Sequence, residues 1–391
     1  MKILFIDIWD KALKKVEYVR NVFPQAEIVL FHYGSITEGV LKSNYRYRDI
    51  EVIDTASIKS FSTFWSILET FQPEYIFTFT DYHILDQLAI SVAKRAKIPI
   101  ILFQQGIRII SDDNNIQVSG NSKLQKKKFI LYKKFFNQII RAELKNFNIK
   151  RFYKTLCYLF QLIKMIGKQQ YFNKALQPAD YYFVFGEFDK NHILKYRKVA
   201  NHNIYITGYF ENYQVDHLKD KMKSSPQKHT LYIMQPLCED FGYDISKFIS
   251  QTNSMYHEFR KRNISLHVKL HPRQNFQFYQ SQLNDEIIFE EKIEEYYDFY
   301  LGHYSTALFL PISIYKPIFI LPIYPLMEPS KVNLINFPID MINEGVGKEL
   351  NLDIIRNPIK IDFKKYDEFI LKYLGSTNPQ MSLKEAFKSI G

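Results

Sequence analysis

Two cysteines, Cys157 and Cys238, are all that 391 residues contain. That is too few for a disulfide framework and favours a reducing compartment. A G-x-G-x-x-G stretch is missing, which argues against a dinucleotide enzyme, and the missing Walker pattern argues against a P-loop one. No tract reads as a membrane span. The longest apolar run, Leu308 to Leu326, holds Pro311, Pro317, Pro322 and Pro325 as well as Lys316, so it reads as a helix, a turn and a strand. The apolar N-terminal stretch ends at Asp7 after a few residues, which suits a first buried strand better than a signal peptide. There is no internal repeat. What remains is a chain of globular composition, 46% apolar and 24% charged, long enough for two α/β domains.

Acidic residues are locally scarce. Between Lys123 and Lys174 fourteen Lys and Arg face a single acid, Glu143, whereas the other 38 basic and 40 acidic residues nearly cancel. The net charge of +11 therefore belongs to one segment. Phe129, Phe136, Ile140, Leu144 and Phe147 recur there at helical spacing, as do Phe152, Leu156, Leu159, Ile163 and Ile166. Basic helices with bulky apolar faces suit an anionic membrane surface, although a helix buried on one side and solvated on the other has the same pattern. No groove-reading motif accompanies the charge, so nucleic acid is not expected.

Along the chain, strands and helices alternate. Strands are expected at 2–8, 27–31, 75–80 and 99–103, with helices near 11–22, 60–70 and 84–96. This order implies a parallel, doubly wound sheet. Strands at 181–185 and 204–207 complete a first domain over 1–222, with a basic helical insert at 122–176. Ser224-Ser225-Pro226-Gln227 reads as a linker, and Gly208 as an interdomain turn. A second α/β domain over 223–375 has strands at 230–234, 267–270, 287–289, near 300 and at 318–321. Helices are expected at 244–262, near 294–297 and from Ser305. The tail from Lys364 reads as helix, and its end, 376–391, is expected to pack back on the first domain.

Two stretches carry the chemistry. Leu270-His271-Pro272-Arg273 closes a strand, and Pro272 keeps His271 out of helical geometry. Gly302-His303-Tyr304-Ser305-Thr306-Ala307 opens a helix with hydroxyls, which suits an anion. Pro311 is expected to kink that helix after a turn and a half. A histidine and a hydroxyl-capped helix at strand ends are suited to expelling a nucleotide phosphate. A leaving phosphate departs faster when its growing charge meets a proton and fixed donors.

The ordered set Gln235-Pro236-Leu237, His271-Pro272-Arg273, Ser305-Thr306 and Lys316-Pro317 resembles bacterial sialyltransferases and related capsule or lipooligosaccharide transferases. The resemblance covers most of 230–325. It implies the GT-B architecture, two Rossmann-like domains facing a cleft. It also implies an inverting transferase that takes a nonulosonic acid or Kdo-type sugar from a CMP-sugar to a hydroxyl of a surface glycan. His271 would protonate the leaving phosphate and Ser305 and Thr306 would bind it. Pro272, Arg273, Lys269, Tyr304, Gln235 and Gly242 would line the donor site. No metal or other cofactor is expected. The family's acidic motif has no clean copy: Glu239-Asp240-Phe241-Gly242 is nearest, with Phe241 inserted.

The expected order for the general base is Asp240, Glu239, then Asp81, with Asp7 and Asp10 as further carboxylates at a strand end. Where related enzymes carry a base before a glycine, this chain has Gln104-Gln105-Gly106. Asp112-Asp113-Asn114-Asn115 reads as a turn, and His257, His267 and His271 lack metal-ligand spacing. Two alternatives stand beside this reading: a CDP-glycerol-type polyol-phosphate transferase of teichoic-acid-like polymers, and a non-catalytic GT-B assembly protein. The expected setting is the cytoplasm, peripherally at the inner face of a bacterial membrane.

Overall fold

The computed structural model describes residues 1–7, 12–32, 44–54, 68–81, 84–104, 106, 136–137, 139–140, 144, 149–167, 177–197, 199–210, 228–241, 243–291, 297–303, 305–321, 337–351, 360–376 and 378–390. Outside these residues fall Asp10, Gln105, Asp112-Asp113-Asn114-Asn115, the Ser224–Gln227 linker, Gly242 and Tyr304. Most of the helices expected near 294–297 and 60–70 and most of the basic segment before Ile149 lie outside as well. The chain divides into two compact units. The first holds the described residues up to Phe210 together with Asn378–Gly391, and the second those from Glu211 to Thr377.

In the first unit eight strands form one sheet in the order β3-β4-β2-β1-β5-β6-β7-β8. They are β1 (Lys2–Asp7), β2 (Glu27–His32), β3 (Tyr45–Tyr47), β4 (Ile50–Asp54), β5 (Tyr75–Thr78), β6 (Ile100–Phe103), β7 (Tyr181–Val184) and β8 (Ile204–Ile206). All pairings are parallel except β3 with β4. The central strands are covered on both faces: Ile3, Leu4, Phe5 and Ile6 are completely buried, as are Ile100 to Phe103. Continuous apolar runs rather than alternation are what such strands require.

Helices α1 (Leu13–Val22), α2 (Ile84–Ala96), α3 (Ile149–Gly167) and α4 (Glu187–Arg197) belong to this unit. The β3–β4 hairpin adds an antiparallel edge that the sequence reading did not contain. Its turn places Arg48 at φ 54°, so the glycine that usually marks such a turn is absent.

The second unit is a six-stranded parallel sheet in the order β11-β10-β9-β12-β13-β14. Its strands are β9 (Lys228–Ile233), β10 (Ile264–Lys269), β11 (Ile288–Phe289), β12 (Phe299–Gly302), β13 (Ile318–Ile320) and β14 (Lys348–Glu349). Its helices are α5 (Leu237–Phe241), α6 (Ile245–Arg260), α7 (Phe276–Gln282), α8 (Phe309–Ser313), α9 (Phe337–Asn343) and α10 (Phe363–Leu374). Asp244 caps α6 by accepting from the Ser246 and Lys247 N–H groups at 2.9 and 3.2 Å.

The C-terminal stretch is two helices with different allegiances. Phe369 and Tyr373 of α10 lie on Phe309 of α8, with ring centroids 6.0 and 5.9 Å apart. The last helix, α11 (Pro379–Ile390), instead inserts Phe387 among Phe23, Tyr75, Phe77 and Phe183 of the first unit. Gly375, at φ 69°, ends α10.

Pro311 does not kink a helix. Thr306–Leu308 is a 3-10 turn and α8 starts only at Phe309, so Pro311 sits in a first turn whose N–H groups have no intrahelical partner.

Candidate functional site

Both sheets run outward from a point where chain order reverses. In the second sheet β9, β10 and β11 proceed one way and β12, β13 and β14 the other, so the reversal lies between β9 and β12. Ligands of open parallel sheets bind outside the strand C-termini at such a point. Gln235 follows β9, His271 follows β10, and His303 and Ser305 follow β12. The second unit therefore gathers Gln235, His271 and Ser305 at the ends of three neighbouring strands.

A tight turn holds His271. The Gln274 side-chain Oε1 accepts from the His271 backbone N–H at 2.8 Å, and the Gln274 backbone N–H donates to the His271 carbonyl at 2.9 Å. The Arg273 backbone N–H donates to His271 Nδ1 at 3.2 Å. A backbone N–H can only donate, so Nδ1 is the acceptor and the proton of the neutral ring sits on Nε2. Half-buried His271 thus presents a donor atom at the strand end, while Pro272 and Arg273 are exposed beside it.

Gln274, which sequence reasoning missed, is the pin of this turn. It is buried, and its amide nitrogen reaches the Gln235 carbonyl at 3.5 Å. Tyr279 extends the tie by donating to Glu239 at 3.0 Å, and burial pushes its hydroxyl pKa up. The segments after β9 and β10 are thereby joined. A polar residue three positions beyond the histidine, reaching back to its N–H, is the spacing of a capping box and was the available signal.

A second missed residue is His303, buried directly after β12. Its Nδ1 lies 3.2 Å from the Leu321 carbonyl and its Nε2 2.9 Å from the Tyr232 hydroxyl. A carbonyl only accepts, so Nδ1 carries the proton and Tyr232 donates to Nε2. Burial pushes this imidazole down to about 4. It clamps β9, β12 and the residue after β13 as a neutral ring.

Ser305 is nearly buried; its Oγ accepts from the Ala307 N–H at 3.2 Å and its carbonyl from the Leu308 N–H at 3.0 Å. Thr306 occupies the 3-10 turn that Ser305 caps. Lys269 turns away, donating to the Glu291 carbonyl at 2.5 Å, and desolvation lowers its pKa. Glu239 is exposed and shares the short helix α5 with Asp240.

Asp81 lies in the first unit, beyond the end of β5 and near the reversal between β1 and β5. It is fully buried and carries a structural load. Arg197 grips it with Nε at 2.8 Å from one oxygen and Nη2 at 3.0 Å from the other, and the Tyr182 hydroxyl donates at 3.0 Å. Both carboxylate oxygens are engaged. At the same sheet edge Asp7, His32 and Asp54 stand in register across β1, β2 and β4, all buried. Gln104 donates to the Gly106 carbonyl and accepts from the Phe185 N–H.

Among the described residues no group of three or more His, Cys, Asp or Glu side chains is placed to hold a metal ion. His267 pairs with Glu290 at 2.7 Å and His229 at 3.1 Å.

No family model matches the chain, and no curated protein matches its sequence. Solved structures match its fold. One is described as a UDP-N-acetylglucosamine 2-epimerase from Listeria monocytogenes, 12% identical with a TM-score of 0.51, over 100% of this chain and 96% of that one. Another is the wall teichoic acid polymerase TagF, 12% identical with a TM-score of 0.52 over 100% of this chain and 88% of that one. The two parallel-sheet units are those of the GT-B fold.

Proposed function

We propose that the chain is an inverting glycosyltransferase that uses a CMP-activated sugar of the nonulosonic acid or Kdo type. The acceptor is a hydroxyl of a bacterial surface glycan. The observation that carries the reading is the His271 turn. Its Nδ1 is occupied by the Arg273 N–H, so Nε2–H is left to donate a hydrogen bond to a phosphate oxygen near the sheet's reversal point. Ser305, Thr306 and the exposed Arg273 supply hydrogen bonds and charge to the same phosphate. These groups carry the neutralisation without calling on a metal.

In the proposed reaction a carboxylate takes the proton of the acceptor hydroxyl. The freed oxygen bonds to the anomeric carbon as the bond to the phosphate oxygen breaks, and the cytidylate leaves as the phosphate dianion, its new charge met by the hydrogen bond from His271 Nε2–H. Asp240 and Glu239 are the carboxylates for that role, since both oxygens of Asp81 are already engaged. The sugar and donor assignments rest on the sequence resemblance. The fold is also that of TagF, whose solved forms include a CDPG soak. CDP-linked donors are therefore the rival to eliminate.

The test is release of nucleotide from CMP-, CDP- and UDP-linked donors in the presence of surface-glycan acceptors. CMP-sugar consumption that falls about 100-fold or more in His271→Ala supports the reading. Turnover of CDP-glycerol or of a UDP-sugar in its place overturns the donor.

A further inference from the structure

Helix α3 exposes large side chains that its own unit does not bury. Ile149, Tyr153 and Phe160 are 71%, 69% and 67% exposed. At 3.6 residues per turn they fall within about 40° of one another, a single stripe. The other side of the helix is anchored. Thr155, Tyr158 and Leu159 are buried, and the last two belong to the core that includes Leu88, Ile100 and Tyr182. The stripe is thus held outward by a fixed helix.

Its charge is one-sided. Lys150 and Lys154 are exposed next to the stripe, and the helix contains Lys150, Arg151, Lys154 and Lys164 with no acid. A helix that only met water would place polar groups where Tyr153 and Phe160 stand. Such an exposed apolar patch marks a contact surface. The surplus of positive charge calls for an anionic partner, and the flanking of an apolar stripe by lysines fits a layer that is anionic at its surface and apolar beneath. Among the described residues no helix is long and apolar enough to cross a membrane, so the contact runs along the surface.

We propose that α3 docks the protein onto an anionic lipid bilayer. The helix lies in the headgroup plane, with Ile149, Tyr153 and Phe160 entering the acyl boundary and Lys150 and Lys154 meeting lipid phosphates. A transferase held there works beside acceptors carried on lipid, but docking itself requires no nucleotide.

The experiment is co-sedimentation of the full chain with phosphatidylcholine vesicles, with and without phosphatidylglycerol, and with no donor present. Wild type is expected to pellet with the anionic vesicles and only weakly with neutral ones. K150Q/K154Q is expected to bind about 30-fold more weakly, each charge near the surface contributing about fivefold. Y153S/F160S is expected to lose about tenfold or more, with an unchanged melting temperature showing an intact fold. Equal binding to neutral vesicles, no binding at all, or unaltered binding by both variants overturns the proposal. So does stripe-dependent self-association without lipid, which would make a second copy the occupant. Because the readout contains no nucleotide, its failure leaves the donor reading standing, and the reverse holds too.

Discussion

Acidification is expected to loosen the second unit through one buried imidazole. Burial pushes His303 down to about 4, with the bond to the Leu321 carbonyl opposing. In the unfolded chain the same ring titrates near 6.5. Between these values the unfolded chain binds the extra proton. The stabilisation is therefore complete above about pH 6.5 and is lost as pH falls toward 4. Linkage gives a loss of about 2 kcal/mol near pH 5, roughly 4–8 °C in the melting temperature of a unit this size.

The assay is thermal unfolding of wild type and His303→Gln across this range. Glutamine keeps a donor for Leu321 and an acceptor for Tyr232 but does not titrate. Carboxylates titrate in both proteins, so the difference between the two profiles isolates His303. The variant is expected to be the less stable protein at neutral pH and to lose less as the pH falls. Parallel profiles would refute the argument that the ring is held neutral by burial.

Gln274→Ala is expected to free the His271 turn, leaving its backbone N–H without the 2.8 Å partner. The cost is about 1–3 kcal/mol of stability, and nucleotide affinity falls with it. A calorimetric titration with unchanged affinity would show that the turn needs no pin. Arg197→Ala strands the buried Asp81 carboxylate and is expected to cost about 3–5 kcal/mol, whereas Arg197→Ala combined with Asp81→Asn recovers part of that. Urea unfolding checks both. Equal stability of the single and double variants would contradict the ion-pair reading.

Parallel strands buried on both faces wrote themselves into the sequence as apolar runs, and for that reason β1, β2, β5, β6, β9 and β10 were legible. The hairpin of β3 and β4 was not, because Arg48 takes a left-handed turn position without a glycine cue. His271 and Ser305 were legible because proline and hydroxyl residues mark strand ends and helix starts in local sequence. Gln274 had a local cue in its spacing from His271 that went unused, whereas His303 became visible only in three dimensions. Tyr232 and His303 are 71 residues apart, and only the pairing of β9 with β12 brings them together.

Asp81 shows the converse. A carboxylate at a strand end resembles a ligand-binding group until Arg197, 116 residues away, is seen to hold it. Pro311 was misleading because the helix it was expected to kink begins three residues later than the Thr306 turn.

The most direct test of the account is a thermal-shift titration with CMP, CDP, UDP and GDP on wild type and on His271→Ala. Selective stabilisation by CMP that disappears in the variant is the predicted result. Selective stabilisation by another nucleotide, or a CMP response that survives loss of the imidazole, would contradict the claim that His271 receives the departing cytidylate.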